Sequence, residues 1–319
     1  MGFTIGVDVG GTKIAAGLVD EAGNLLTKIR RATPVNGGDA AIPIVSAMAN
    51  ELVGWAKNNG NADIDGIGIG APGICTADRT TVTRAANLHW FDVPIATIVT
   101  EETGIRTVAE NDANAAAWAE YRFGAGRGSG SMIAVTLGTG IGGGIVFDGN
   151  LLRGSQGYAA EIGHIAVMPS GRRCGCGKRG CWERYASGTA LVHEAHELLR
   201  WTPERAPMLF ELCGGHVEQI TGPMVMDAAA AGDEGAQDVV HFVAHWIGVG
   251  LGDLTNILDP DVFVIGGGLG EAGDILLDPA RAAFEENVMN ANARRLARIV
   301  PAQMGGDAGI VGAADLARF

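Results

Sequence analysis

Between residues 164 and 181, one imidazole and three thiols gather on a chain that otherwise uses cysteine sparingly. They are His164, Cys174, Cys176 and Cys181, spaced His-x9-Cys-x-Cys-x4-Cys. Such a set suits tetrahedral Zn2+, and glycines at 175, 177 and 180 permit the tight turns that bring close thiolates onto one ion. A redox reading is poorer, because no Cys-x-x-Cys pair is present. Four protein ligands close the coordination sphere, so the predicted metal is structural and not a Lewis acid. Glu161 lies three residues before His164, and Glu183 two after Cys181. Held by the metal loop, these carboxylates and the imidazole suit the vicinal hydroxyls of a sugar. The plainer alternative is that both acids support the metal ligands or lie on the surface.

Three glycine-rich stretches suggest a nucleotide. In Asp8-Val-Gly-Gly-Thr-Lys13, Gly10 and Gly11 let backbone N–H groups approach a phosphate, and Thr12 and Lys13 add side-chain donors. Asp8, at a strand end, can hold Mg2+, usually through water. The stretch is neither a Walker A loop nor a Rossmann fingerprint, since the turn leads into a strand. An ordinary glycine hairpin with a stray lysine is the alternative. Gly138, Thr139 and Gly140 offer a second phosphate cradle, and Gly266, Gly267 and Gly268 a place where a nucleobase or ribose can lie against bare backbone. Glu110-Asn111-Asp112 places carboxylates at a helix start. Asp112 can serve there as a general base, or simply cap the helix with Asn111 just outside it.

The elements that must position these groups are readable in outline. FTIGVDVGGTKIAAGLV (3–19) and MIAVTLGTGIGGGIVF (132–147) share a strand, glycine turn, strand plan, which suggests a duplicated domain. DGIGIGAPG (65–73) predicts a buried strand ending in a Pro-Gly turn. RTVAENDANAAAWAEYRFG (106–124) predicts a strand, a polar junction and an Ala-rich helix. A long helix over 233–258 ends at Asp259-Pro260, and DVFVIGGGLG (261–270) is a strand running into a glycine turn. Alternating strands and helices make an α/β architecture, with a hinge expected near residues 112–118.

Composition bounds the function. The 319 residues carry a formal net charge of −13, which argues against a nucleic-acid-binding body but not against a nucleotide held by backbone amides. No basic leader precedes an apolar region, and no run of about 18 apolar residues predicts a membrane span. Five unevenly placed cysteines do not suggest a disulfide scaffold, so a reducing cytoplasm is expected.

Together these features resemble the ROK family of bacterial sugar kinases and sugar-responsive repressors, within the actin/hexokinase/Hsp70 superfamily. The resemblance runs through DVGGTK (8–13), GIGAPG (68–73), END (110–112), LGTGIGGG (137–144), EIGH (161–164), CGCGKRGCWERYASG (174–188), GGG (266–268) and GIVGAA (309–314). It implies a two-lobed actin-like ATPase fold, a duplicated ribonuclease H-like plan with a cleft between the lobes. Residues 1–115 would form a small lobe, about 302–319 would pack back on it, and 116–301 would form a large lobe with the zinc loop. It also implies ATP- and Mg2+-dependent phosphorylation of glucose at O6. Asp112 would be the base, and Gly73, Asn87, Asn111, Asp112, Glu161, His164 and Glu183 would form the sugar site. His164 would serve both zinc and sugar. Asp8, Gly10, Gly11, Thr12, Lys13, Gly138, Thr139, Gly140 and Gly266–Gly268 would hold ATP. N-acetylglucosamine, N-acetylmannosamine, mannose and fructose are the alternative sugars, and polyphosphate a less expected donor. A ROK repressor would need a DNA-binding segment before residue 8. A homodimer or homotetramer is the expected assembly.

Overall fold

The computed structural model describes residues 2–34, 38–60 and 63–319. The chain runs β1 (Phe3–Val9), β2 (Lys13–Val19), β3 (Leu25–Ala32), α1 (Ile42–Asn58), β4 (Ile64–Ala71), β5 (Ile74–Cys75), β6 (Val82–Ala85) and β7 (Trp90–Val93). It continues with α2 (Ile95–Thr103), β8 (Thr107–Asn111), α3 (Asp112–Phe123), β9 (Ser131–Leu137), β10 (Ile141–Phe147), β11 (Asn150–Leu151), α4 (Glu183–Ala186) and α5 (Gly188–Trp201). The last elements are α6 (Pro207–Leu212), α7 (Gly222–Ala230), α8 (Glu234–Leu258), β12 (Val262–Gly266), α9 (Gly267–Gly270), α10 (Asp274–Asn287), β13 (Arg298–Pro301) and α11 (Ala308–Leu316). No described helix is long and apolar enough to cross a membrane.

Two compact units emerge, one of Met1–Ala134, Gly144–Ala160 and Gln303–Phe319, the other of Val135–Gly143 and Glu161–Ala302. The first contains a sheet of order β3-β2-β1-β4-β8, in which β1 and β2 form the expected antiparallel hairpin and β1, β4 and β8 run parallel. Strand alternation sorts its two faces. Ile5, Val7, Val9, Ile67 and Ile69 are buried with Val45, Met48, Ala49 and Leu52 of α1, which recur at helical spacing. Gly6, between Ile5 and Val7, and Gly68, between Ile67 and Ile69, face the other way and receive α11. A Cβ on Gly6 would lie 1.9 Å from the Ile310 carbonyl oxygen, and one on Gly68 1.8 Å from that of Ala313. Bare backbone is what lets that helix sit on the sheet.

A division at residue 115 does not describe these units, because α3 stays with the first. Gly312 of α11 approaches α3 so closely that a Cβ would lie 1.7 Å from the Ala115 carbonyl oxygen. Trp118 Nε1 of α3 donates to Asp315 at 2.8 Å. A second five-stranded sheet has the order β11-β10-β9-β12-β13, and the unit boundary falls within β9 and β10. In the second unit, α8 buries Val239, Val243, Ile247, Leu251 and Leu254 along one stripe and is capped by the Asp233 carboxylate. After β12 the glycines form the first turn of a short helix, α9, and not an open turn.

Candidate functional site

In the first unit the candidate residues collect around the ends of β1, β4 and β8. The β1–β2 turn closes through Gly10 N–H donating to the Lys13 carbonyl at 2.9 Å. Thr33 ties it down from the side, its Oγ1 donating to the Gly10 carbonyl at 2.6 Å. Gly11, Thr12 and Lys13 are left exposed at the tip. Asn87 stands beside them, since a Cβ on Gly11 would lie 3.8 Å from Asn87 Cβ.

Asp112 is the first residue of α3, and Asn111, not Asp112, is the cap. Asn111 has extended backbone angles, and its Oδ1 accepts from Asn114 N–H at 3.0 Å. Strand β8 continues through Asn111, so the strand-to-helix change falls there and leaves the Asp112 carboxylate out of the capping role. The Asn111 Nδ2 donates to the Gly73 carbonyl at 2.8 Å, which brings the Pro-Gly loop to the end of β8. Gly73 has φ +108°, and a Cβ would lie 2.0 Å from the Arg84 carbonyl oxygen, so only glycine fits. Burial raises the Asp112 carboxyl above the usual carboxylate range, against the pull of the Ala113 N–H at 2.8 Å. The Asp8 carboxyl is pushed up to about 6, first by burial and then by Asp112, with Lys13 and Lys28 opposing.

In the second unit His164, Cys174, Cys176 and Cys181 converge, with one donor atom from each lying within 4.8 Å of the others. Zinc–sulfur bonds of about 2.3 Å in a tetrahedron place donor atoms about 3.8 Å apart. The Cys176–Cys181 sulfurs are 3.6 Å apart, and Cys174 Sγ is 3.7 Å from His164 Nδ1. The donor set therefore fits zinc in chemistry and in spacing. Trp182, fully buried, anchors the loop by donating from Nε1 to the Trp246 carbonyl of α8 at 2.6 Å. A Cβ on Gly250 of α8 would lie 2.1 Å from the indole.

Both flanking acids stand at this cluster. Glu161 Oε2 is 4.0 Å from His164 Nε2, and Glu183 Oε1 is 3.6 Å from Nδ1. Cys174 Sγ donates to the same Glu183 oxygen at 2.9 Å. Gly140 also stands at this group, since a Cβ there would lie 2.7 Å from Glu183 Oε2.

A cavity of about 780 Å3 opens beside this group in the same unit. Of the glycine-rich stretches, Gly138, Thr139 and Gly268 line it, and Gly266 and Gly267 do not. Gly267 instead packs on β9, with φ +82° and a Cβ position 2.5 Å from the Leu137 carbonyl oxygen. Sequence reading missed Gly188 and Thr189 at the start of α5, and Met226, Asp227 and Glu271 on the cavity wall. Gly188 N–H donates to the Gly138 carbonyl at 2.8 Å, and Thr189 Oγ1 to that of Thr139 at 2.6 Å. Ser187, the cap of α5, was the available signal for that helix start. The α7 and α9 residues carried no signal, because only folding brings them to the glycine turn.

The profile of the ROK family matches residues 4–319. The chain is 46% identical over 318 residues to a glucokinase of Streptomyces coelicolor, covering all of this chain and 98% of that protein. It is 40% identical over 311 residues to a glucokinase of Halalkalibacterium halodurans, covering 97% and 92%. Among solved structures, a ROK family glucokinase from Streptomyces griseus, in complex with glucose and AMPPNP, superposes with a TM-score of 0.85 at 47% identity. That superposition covers 99% of both chains.

Proposed function

The chain belongs to the ROK family, and on that premise we propose that it phosphorylates glucose at the 6-hydroxyl with ATP as donor. The observation that carries this reading is relatedness to glucokinases over the whole length of the chain.

Phosphoryl transfer leaves the protein little covalent chemistry, so its work is positioning and charge stabilisation. In this reading Asp112 orients the 6-hydroxyl and accepts its proton. Asn111, Asn87, the Gly73 loop, Glu161, His164 and Glu183 bind the other hydroxyls. The 4.0 Å between Glu161 and His164 Nε2 is too long for a direct hydrogen bond and leaves room for a hydroxyl to bridge them. The 780 Å3 cavity takes the nucleoside, and Gly138, Thr139 and the start of α5 meet its phosphates. Gly10, Gly11, Thr12 and Lys13 supply donors to the transferred group. Asp112 is close enough to Asp8 to disfavour ionisation of the Asp8 carboxyl, which suits the place for a cation. Asp8 would hold Mg2+, whose charge offsets that of the phosphates. His164, Cys174, Cys176 and Cys181 would hold a structural zinc that fixes Glu161, His164 and Glu183.

An ADP-release assay across glucose, mannose, fructose, N-acetylglucosamine and N-acetylmannosamine tests the substrate, with Asp112→Asn testing the base. Glucose should give the highest kcat/KM, and Asp112→Asn should lower kcat by about 10^2–10^4. No turnover of glucose would overturn the function, and undiminished kcat in the variant would overturn the role of Asp112.

A further inference from the structure

Glu110 takes no part in the chemistry above, yet it is 3% exposed and lies two residues before Asp112. One of its oxygens, Oε1, accepts from the Asn111 backbone N–H at 3.2 Å and from Asn114 Nδ2 at 3.1 Å. A single oxygen thus holds residues on either side of Asp112. The other, Oε2, accepts from Arg153 Nε at 2.7 Å and lies 3.8 Å from Arg79 Nε. Arg153 reaches in from just beyond β11, 43 residues along the chain. Arg79 is fixed from several directions. It has φ +62°, its carbonyl accepts from Ala109 N–H of β8 at 2.8 Å, and its guanidinium donates to the Leu316 carbonyl at 2.8 Å. Its buried Nε finds no hydrogen-bond partner among the described residues, which leaves Arg153 as the guanidinium that engages Glu110 directly.

Taking these charges out of water is costly, and a buried ion pair seldom stabilises a fold more than apolar side chains of the same volume. What a charge-assisted bond from a planar guanidinium adds is direction. We propose that Arg153 is a positioning residue for Asp112, acting through Glu110, whose carboxylate holds Asn111 and Asn114 on both sides of the base. This inference rests on the reading of Asp112 as the base.

The test separates position from stability by measuring kcat, KM and melting temperature for Arg153→Met, Glu110→Met/Arg153→Met and Arg153→Lys. Arg153→Met strands a buried carboxylate, so both stability and kcat should fall. The double variant removes both charges of the pair, though it leaves Arg79 without its carboxylate neighbour, and should recover part of the melting temperature lost in Arg153→Met. Its kcat should stay down about tenfold or more, because nothing aligns the start of α3. KM for glucose and for ATP should stay within about threefold. Arg153→Lys keeps the charge and should give an intermediate kcat at nearly unchanged melting temperature. It carries the test alone if the double variant does not fold. Wild-type kcat in the double variant, or in a stable Arg153→Lys, overturns the proposal. So does a kcat loss that only tracks the loss of stability. Asp112→Asn keeps the two readings apart. Full activity there overturns the base and this proposal with it, whereas an inactive Asp112→Asn beside a fully active double variant overturns only the role of Arg153.

Discussion

Two carboxylates held together away from water repel each other, and Asp8 registers the cost. Its carboxyl is pushed up from 3.8 to about 6, by burial first and by Asp112 second. The folded protein therefore binds this proton more tightly than the unfolded chain does, and deprotonating Asp8 costs stability. Below about pH 4 both states are protonated and there is no penalty. The penalty grows as pH rises toward about 6 and is complete above it. A separation of roughly two pH units is worth about 3 kcal/mol. Asp8→Asn is therefore expected to melt at a higher temperature than the wild type at about pH 7.5 and at nearly the same temperature at about pH 4, while losing phosphotransfer. Thermal unfolding at both pH values, without Mg2+ or nucleotide, checks this. A variant no more stable than the wild type at the higher pH would contradict it. The glycine, threonine, lysine and aspartate types at this turn were legible because their chemistry is local. The raised proton affinity was not, because it depends first on burial and then on a neighbour 104 residues away, both of which only folding supplies.

At the scale of elements, the metal loop was the most legible part of the chain. Its candidate ligands are written in spacings short enough to constrain geometry without the rest of the fold, and the structure brings all four residues together. The helix starts were less legible. Asn111 and Asp112 are both good caps, and the choice between them depends on how far β8 extends. The Glu110–Arg153 pair left no local trace at all. The loop also yields a sharp expectation about metal removal. In the proposed reading Glu161, His164 and Glu183 depend on it for their positions, whereas the cavity proposed for the nucleoside is lined by the Gly138–Thr139 turn, α5, α7 and α9. Chelation should therefore lower the melting temperature and raise the glucose KM by about tenfold or more, while the ATP KM barely moves. Elemental analysis should find about one zinc per chain, and added Zn2+ should restore the glucose KM. Loss of zinc with glucose affinity intact would refute the scaffolding role.

At the scale of the whole chain, the two glycine hairpins correctly suggested a repeated plan, but not how the chain is shared out. The first unit is assembled from three separate stretches, the last of which is Gln303–Phe319. A seventeen-residue tail has no periodicity that announces which sheet it will cover. Its place is set by glycines in distant strands, Gly6 and Gly68, and by one in the tail itself, Gly312. Glu120 of α3 reads the tail's backbone as well, with Oε1 accepting from the N–H groups of Gln303 at 2.9 Å and Met304 at 2.7 Å. Ile310, Val311 and Leu316 are each no more than 3% exposed. Burial of each is worth about 1.5–3 kcal/mol, and together they approach the 5–15 kcal/mol that holds a typical domain folded. A chain ending at Ala302 would bare this apolar surface and take from Glu120 Oε1 its two tail donors. It should therefore lose phosphotransfer, and amides of β1, β4 and β8 that exchange slowly in the full chain should exchange fast. Hydrogen exchange read strand by strand tests the claim. Protection of β1, β4 and β8 equal to that of the full-length protein would show that the tail only decorates a unit able to hold itself together.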